Sequence, residues 1–188
     1  MPNKTVFFCG PHTCGKTTIL KTLKNEGFFQ EIGSEIGKDI YYIRKLVTSE
    51  QSEDFEWEVT NLELERDKKF LNISGLVGIE TWHPGNLAYV AVRNPQILDK
   101  IAEAMKKSPL INSAFGIYLD IPPNTIFQRT KTFKNNREWA QNFYSEINKH
   151  LPMCFEKLGL TERIIKIDAS EDFDNVLSEV KSQIVKLL

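Results

Sequence analysis

Two glycines five residues apart, a lysine directly after the second and two threonines beyond it occupy residues 10–18, GPHTCGKTT. Glycines let a backbone curl until successive N–H groups point at one anion, and a following helix adds partial positive charge at its N-terminus. The order G-x-x-x-x-G-K-[ST] therefore reads as a nucleotide-phosphate cradle made by Gly10, Pro11, His12, Thr13, Cys14, Gly15, Lys16, Thr17 and Thr18. In such a cradle Lys16 reaches the β- and γ-phosphates and the Thr17 hydroxyl ligates Mg²⁺, so ATP and Mg²⁺ are the expected cofactors. Cys14 reads as a small packing residue, and His12 faces either an acceptor or solvent.

A second chemical group stands seventy residues on. Glu80 closes the glycine-punctuated apolar run SGLVGIE and is placed to hold the metal through water or to act on an acceptor. Phosphoryl transfer needs a metal, cations around the equatorial oxygens and a group that orients the nucleophile. Glu80 and the loop supply part of that set.

The elements that position these residues follow from hydrophobic pattern. KTVFFC (4–9) predicts a buried strand, and Ile19, Leu20 and Leu23 predict a helix from Lys16 to about Asn25, stopped by Gly27. FFQEI predicts a second strand, 38–48 a helix, and 54–72 an amphipathic helix with Phe55, Val59, Leu62 and Phe70 inward. After the Glu80 strand, Asn94-Pro95 predicts an N-cap and first turn for a helix burying Ile97, Leu98, Ile101 and Met105. AFGIYLDI is a strand stopped by Pro122-Pro123, a helix starts near Asn124, and a long one runs from about Glu138 to Leu158. RIIKID is the last strand, and the closing helix packs Phe173, Val176, Leu177, Val180, Ile184 and Leu187. Strand and helix alternate, and most strands are unbroken apolar runs. That pattern predicts an α/β fold: a doubly wound three-layer sandwich with a central parallel sheet of about five strands. Ligands in such folds sit beyond the strands' carboxyl ends, where Gly10, Glu31, Glu80 and Asp120 fall.

Bulk properties narrow the function classes. A chain of 188 residues without a repeat or linker is expected to form a single domain over 1–188. The net charge of −1 gives no global pull toward nucleic acid or an acidic membrane. No apolar run approaches the roughly 18–20 residues of a membrane span, and MPNKTVFFCG is too short an apolar stretch for a signal peptide. Cys9, Cys14 and Cys154 have no metal-ligand spacing and are odd in number, which argues against a disulfide framework. A cytoplasmic protein is the expectation.

Four further stretches carry a resemblance. GIETWHPGNLAY resembles the D-R-Y-x-x-S-x-x-A-Y segment of thymidylate kinases and related nucleoside and nucleotide kinases; YLDIPPNTIFQRT is similar to their strand and helix, and FYSEINKHLPMCFEKLG with IIKIDASEDFDNVLSEV to their last helices and strand. The likeness runs from residue 5 to 187 in the right order, with 33–75 matching only in helical character. It implies a P-loop kinase fold with a helical lid at about 129–138, in which Arg129, Lys131, Lys134 and Arg137 close over the phosphates. It also implies a carboxylate that takes the acceptor's proton, Glu31 by position, with Glu35 the competitor. Trp82, Tyr89 and Phe143 become candidates for stacking on a base, and Thr81 for contact with the acceptor. Thr81 departs from the family, which has an arginine gripping the acceptor there, and Gly85 and Val90 replace polar residues.

The leading expectation is ATP- and Mg²⁺-dependent phosphoryl transfer to a small-molecule nucleoside or nucleotide. Two alternatives stand beside it: a nucleotide-binding regulator that has lost transfer, and a small P-loop NTP hydrolase. NKH at 148–150 lacks the aspartate of a guanine-reading motif, which disfavours a GTPase. By analogy with related kinases, the helix at 54–72 or the one after Asn94 is a candidate homodimer face.

Overall fold

The computed structural model describes residues 4–44, 51–130 and 136–187. Three strands, β1 (Lys4–Cys9), β3 (Leu76–Glu80) and β4 (Ala114–Asp120), form the centre of the sheet, almost wholly buried. A strand covered on both faces has no reason to alternate polar and apolar side chains, hence the continuous runs VFFC and LVGI. The strands β2 (Glu31–Gly33) and β5 (Ile164–Asp168) are the edges and are more exposed. All pairings are parallel, in the order β2-β3-β1-β4-β5, with Phe8 opposite both Glu80 and Ile117.

The flanking helices are α1 (Lys16–Asn25), α2 (Ile36–Arg44), α3 (Glu53–Phe70), α4 (Trp82–Arg93), α5 (Leu98–Met105), α6 (Pro123–Arg129), α7 (Arg137–Lys157) and α8 (Phe173–Leu187). The five-stranded parallel sheet and its helices match the expected α/β sandwich. From β1 the chain steps across β3 to the edge, and from β3 it steps across β1 the other way. Connections leaving β1 and β3 therefore diverge, and a crevice opens beyond their carboxyl ends. Gly10 and Glu80 lie at that crevice.

Several local expectations need correction. The second strand is not FFQEI but starts at Glu31, because its position is set by pairing with β3, Glu31 opposite Val77, while Phe29 turns into the core at 2% exposure. The helix expected over 38–48 runs from Ile36 to Arg44, and 45–48 lie outside the described residues. Asn94 makes no side-chain cap; its amide is buried and donates to Gln51 O at 2.9 Å and Glu56 Oε1 at 3.0 Å. Phe173 is 40% exposed, so α8 packs through Val176, Leu177, Val180 and Ile184.

The largest departure is in α3. Phe55, Val59 and Phe70 point inward as expected, but Leu62 is 37% exposed and its place is taken by Glu63. Glu56, Thr60, Glu63 and Asp67 form a buried polar stripe at four-, three- and four-residue steps, one face of the helix. A buried carboxylate costs several kcal/mol unless donors surround it, and α4 supplies them. Arg93 forks onto Glu56 at 2.8 and 2.9 Å, Asn86 Nδ2 donates to Glu63 Oε1 at 3.0 Å, and Arg66 bonds Glu63 from within α3. Asp67 accepts the Trp82 indole N–H, 3.1 Å to each oxygen, and the Ser108 hydroxyl at 2.5 Å, and meets His83 Nε2 at 2.8 Å.

Removing Asp67 strands all three donors, so Asp67→Ala is expected to cost about 3–5 kcal/mol, whereas Leu62→Ala should stay within about 0.5 kcal/mol, as surface changes do. Urea unfolding of the two variants checks this, and the reverse ranking would restore the purely apolar reading of α3. Burial pushes the Glu63 carboxyl from 4.5 up to about 8, with Arg66 pulling it down and Asp67 pushing it up. A carboxyl raised on folding holds its proton more tightly in the native state, so its contribution is full below pH 4.5 and lost as pH rises through about 8. Relative to Glu63→Gln, the parent should therefore lose stability across that window, as urea titrations at several pH values would show.

Candidate functional site

The loop between β1 and α1 is shaped by three left-handed residues, Gly10 (φ 144°), Thr13 (φ 70°) and Gly15 (φ 102°). At Gly10 the requirement is also steric: a Cβ would press on the Leu119 carbonyl and lie 2.8 Å from Cys14 Sγ. The loop therefore rests on the end of β4. Cys14 is 2% exposed and burial pushes its thiol up, which fits a packing role.

Helix α1 begins at Lys16 with no acidic residue in its first turn and no side-chain cap at Gly15. Its first N–H groups are left for an anion. Lys16 Nζ donates to the Gly10 and Pro11 carbonyls at 2.9 and 3.0 Å. Burial alone would lower its pKa, but Cys14, Glu35 and Glu80 around it raise the ammonium above its ordinary value.

A cavity of about 220 Å³ opens over the loop, lined by His12, Thr13, Gly15, Lys16, Thr17, Thr18, Glu35, Lys38 and Glu80. Thr17 Oγ1 donates to Glu80 Oε1, so the two residues predicted to hold the metal meet although 63 positions apart. One hydroxyl and one carboxylate suit Mg²⁺, which keeps several of its waters. No cluster of three or more His, Cys, Asp or Glu that could hold a metal occurs among the described residues, so Mg²⁺ here would lean on water and phosphate oxygens. His12 faces the cavity with its ring stacked on Tyr144 at 4.9 Å. Burial first, then the charges of Lys16 and Lys38, lower its pKa to about 4, so it is neutral at pH 7.

The structure separates the two candidate bases. Glu31 opens β2 rather than following it, is exposed, and accepts the Ile32 N–H at 2.9 Å. Glu35 lies beyond the carboxyl end of β2, just before α2, and lines the cavity. Burial pushes its carboxyl up, Lys16 opposes this and Glu80 adds to it.

Thr81 links the halves of the site. Its N–H donates to Phe8 O at 2.7 Å, extending the β1–β3 ladder by one residue, and its hydroxyl donates to Glu35 Oε2 at 2.9 Å. Its backbone (φ 66°, ψ −60°) has the torsions of a strained γ-turn, and Trp82 follows at φ 52°. Such positions cost on the order of 1–3 kcal/mol each and persist only where the surroundings over-determine them. Asp67 does so here, holding Trp82 and His83 from below. Gly85 fits the same turn, since a Cβ there would lie 2.5 Å from the Thr81 methyl.

The other candidates lie elsewhere. Trp82 is fully buried, 5.0 Å from the Phe7 ring, and has no face for a base: this expectation is wrong, because its indole serves the core and Asp67. Tyr89 is half-buried between the Arg93 guanidinium at 4.8 Å and Phe143 at 6.1 Å, and burial, then Glu35, raise its pKa. Phe143 is itself stacked on Trp139 at 5.2 Å. Arg129 donates to the carbonyls of Ala169 and Ser170 at 2.8 and 3.1 Å, and Arg137 lies over Phe127 at 5.9 Å; neither lines the cavity. Lys131 and Lys134 of the expected lid lie outside the described residues. The sequence reading missed Lys38, whose spacing three after Glu35 at a helix start was a usable signal, and Asp67 and Asn86, which gave none.

No family model matches the chain. The thymidylate kinases of two strains of Ureaplasma parvum serovar 3 are 34% identical to it over 77 residues, which are 39% of this chain and span only 34% of those relatives' length. Among solved structures, NadR protein in complex with NR superposes with a TM-score of 0.71 at 15% identity, over 97% of this chain and 50% of that one. Deoxyadenosine kinase from M. mycoides with products dCMP and dCDP gives 0.71 at 14% identity, over 97% and 99%. YorR protein from Bacillus subtilis, in complex with phosphorylated GDP, gives 0.59 at 16%, over 98% and 96%. Five parallel strands in this order, the Gly10–Thr18 loop and these likenesses give the chain the fold of the P-loop nucleoside and nucleotide kinases, which it resembles.

Proposed function

We propose that the chain is a phosphotransferase that moves the γ-phosphoryl group of ATP, with Mg²⁺, to a hydroxyl of a nucleoside or nucleotide. The observation that carries this reading is the meeting of Lys16, Thr17, Glu35 and Glu80, from three segments of the chain, around one cavity of about 220 Å³. A phosphate loop alone serves hydrolases and kinases alike; a raised-pKa carboxylate facing it, tied to a strained turn, is what a transferase needs for its second substrate.

The residues divide as follows. The loop N–H groups and Lys16 hold the donor phosphates. Thr17 and Glu80 would hold Mg²⁺, which neutralises charge developing on the phosphates. Glu35 accepts the acceptor's hydroxyl proton as that oxygen bonds to the γ-phosphorus and the bond to the β–γ bridging oxygen breaks, leaving ADP. At Thr81 a neutral hydroxyl, already bonded to Glu35, stands where the resemblance expects an arginine. That end of the site favours an uncharged acceptor, a nucleoside, over a monophosphate. The nucleoside-kinase name of one structural neighbour supports the same choice. One domain spanning 1–188 belongs to this proposal, as do a cytoplasmic location and a homodimer; no helix among the described residues is long and apolar enough to cross a membrane.

A regulator that binds nucleotide without transfer is the second reading, favoured by Arg129 resting on backbone carbonyls instead of entering the cavity. Incubating the protein with Mg·ATP and a panel of nucleosides and monophosphates distinguishes the readings. Acceptor-dependent ADP sustains transfer, ADP indifferent to acceptor points to a hydrolase, and binding without ADP points to the regulator.

Lys16→Ala should abolish turnover while leaving the melting curve cooperative; turnover at the parental rate would refute the assignment. Glu35→Gln should lower kcat by about 10²–10⁴, the usual worth of a positioned base, while Glu31→Gln keeps the parental value. Because the Glu35 pKa is raised, the acid limb of the pH–rate profile should lie above the ordinary glutamate range, with activity lost as pH falls and Glu35 protonates. Equal loss in both variants would break the assignment of the base.

A further inference from the structure

Two of the cations expected over the transferring group, Arg129 and Arg137, do not line the cavity, and Lys131 and Lys134 lie outside the described residues. Arg129 is fixed on the loop after β5 and Arg137 on Phe127, while Lys38, a residue without an expected role, lines the cavity. We propose that Lys38 is a catalytic residue that binds the phosphoryl group in transit from the α2 side, opposite Lys16. This rests on the phosphotransfer reading above.

Three observations carry it. Glu35 accepts the Asp39 N–H at 3.1 Å and so starts α2, which places Lys38, three residues on, on the same helix face as Glu35. The cavity is then lined both by the phosphate loop with Lys16, which follows β1, and by Glu35 with Lys38, which follow β2 on the other side of β3 in the sheet. Second, the Lys38 charge acts on both neighbours: it lowers the His12 pKa, after burial and Lys16, and weakly opposes the rise at Glu35. No ion pair ties Lys38 to a carboxylate among the described residues. Third, the lining carries two carboxylates, Glu35 and Glu80, against two ammonium groups, Lys16 and Lys38. With Lys16 committed to the donor, charge developing on the equatorial oxygens needs one more cation, the part an arginine finger plays elsewhere. A lysine on a flexible stem presents a compact charge suited to that task.

Lys38→Met removes the charge at nearly the same length, and Lys38→Arg retains it. Calorimetric titration with Mg·ATP and Mg·ADP reads the γ-phosphate contact without turnover. The ratio of ATP to ADP affinity should fall about tenfold or more in Lys38→Met and stay near parental in Lys38→Arg. With a nucleoside acceptor, kcat of Lys38→Met should fall about 10²–10³, the usual loss for one oxyanion donor, with the acceptor KM unchanged. An unchanged affinity ratio overturns the proposal. So does a rise confined to the KM of a monophosphate acceptor, which would assign Lys38 to the acceptor's phosphate. If the parent shows no acceptor-dependent ADP, the transfer reading fails, and the affinity ratio still decides whether Lys38 touches the γ-phosphate.

Discussion

The backbone between Glu80 and Trp82 is the constraint on which the site depends. β3 ends beside β1, and Thr81 adds one more bond to Phe8 before the chain turns through two left-handed residues into α4. That turn fixes Glu80 against Thr17 on one side and Thr81 against Glu35 on the other. The proposed donor half and acceptor half are thus set by a single strained joint. The joint is held from beneath by Asp67, whose oxygens serve Trp82, His83 and Ser108. The polar stripe of α3 therefore links fold and function: groups that are costly to bury hold in place a conformation that is costly to adopt.

Electrostatics complete the arrangement. The cavity balances Lys16 and Lys38 against Glu35 and Glu80, and His12, its pKa lowered to about 4, adds no charge at pH 7. In the proposed reaction an incoming polyphosphate would meet helix N–H groups and ammonium groups rather than net negative charge, and the raised pKa of Glu35 would suit it to take a proton.

What the sequence revealed was local. The phosphate loop and its strand and helix were legible because one continuous segment carries the motif, the apolar run and the helical spacing. The sheet was legible because buried strands must be apolar throughout. What failed depended on distant partners. The position of β2 is set by β3, so Glu31 and Glu35 could not be told apart from spacing alone. Leu62 and Glu63 exchange roles because α4 offers Asn86 across the interface, and Trp82 is claimed by Asp67, 15 residues earlier. Helix α4 was not among the expected elements; Pro84 and Gly85 sit in its first turn, where a proline's missing N–H has no helical partner to lose and a glycine leaves room for the Thr81 methyl.

Central to the proposed mechanism is one piece of geometry: Glu35, not Glu31, faces the acceptor across the donor phosphates. A crystal structure with a non-hydrolysable ATP analogue, Mg²⁺ and a nucleoside tests it most directly. The expected result is an acceptor hydroxyl within about 2.6–3.2 Å of a Glu35 oxygen, the reach of a general base, with Thr81 still bonded to that carboxylate. A nucleoside seated with its hydroxyl at Glu31, or outside the cavity altogether, would contradict it.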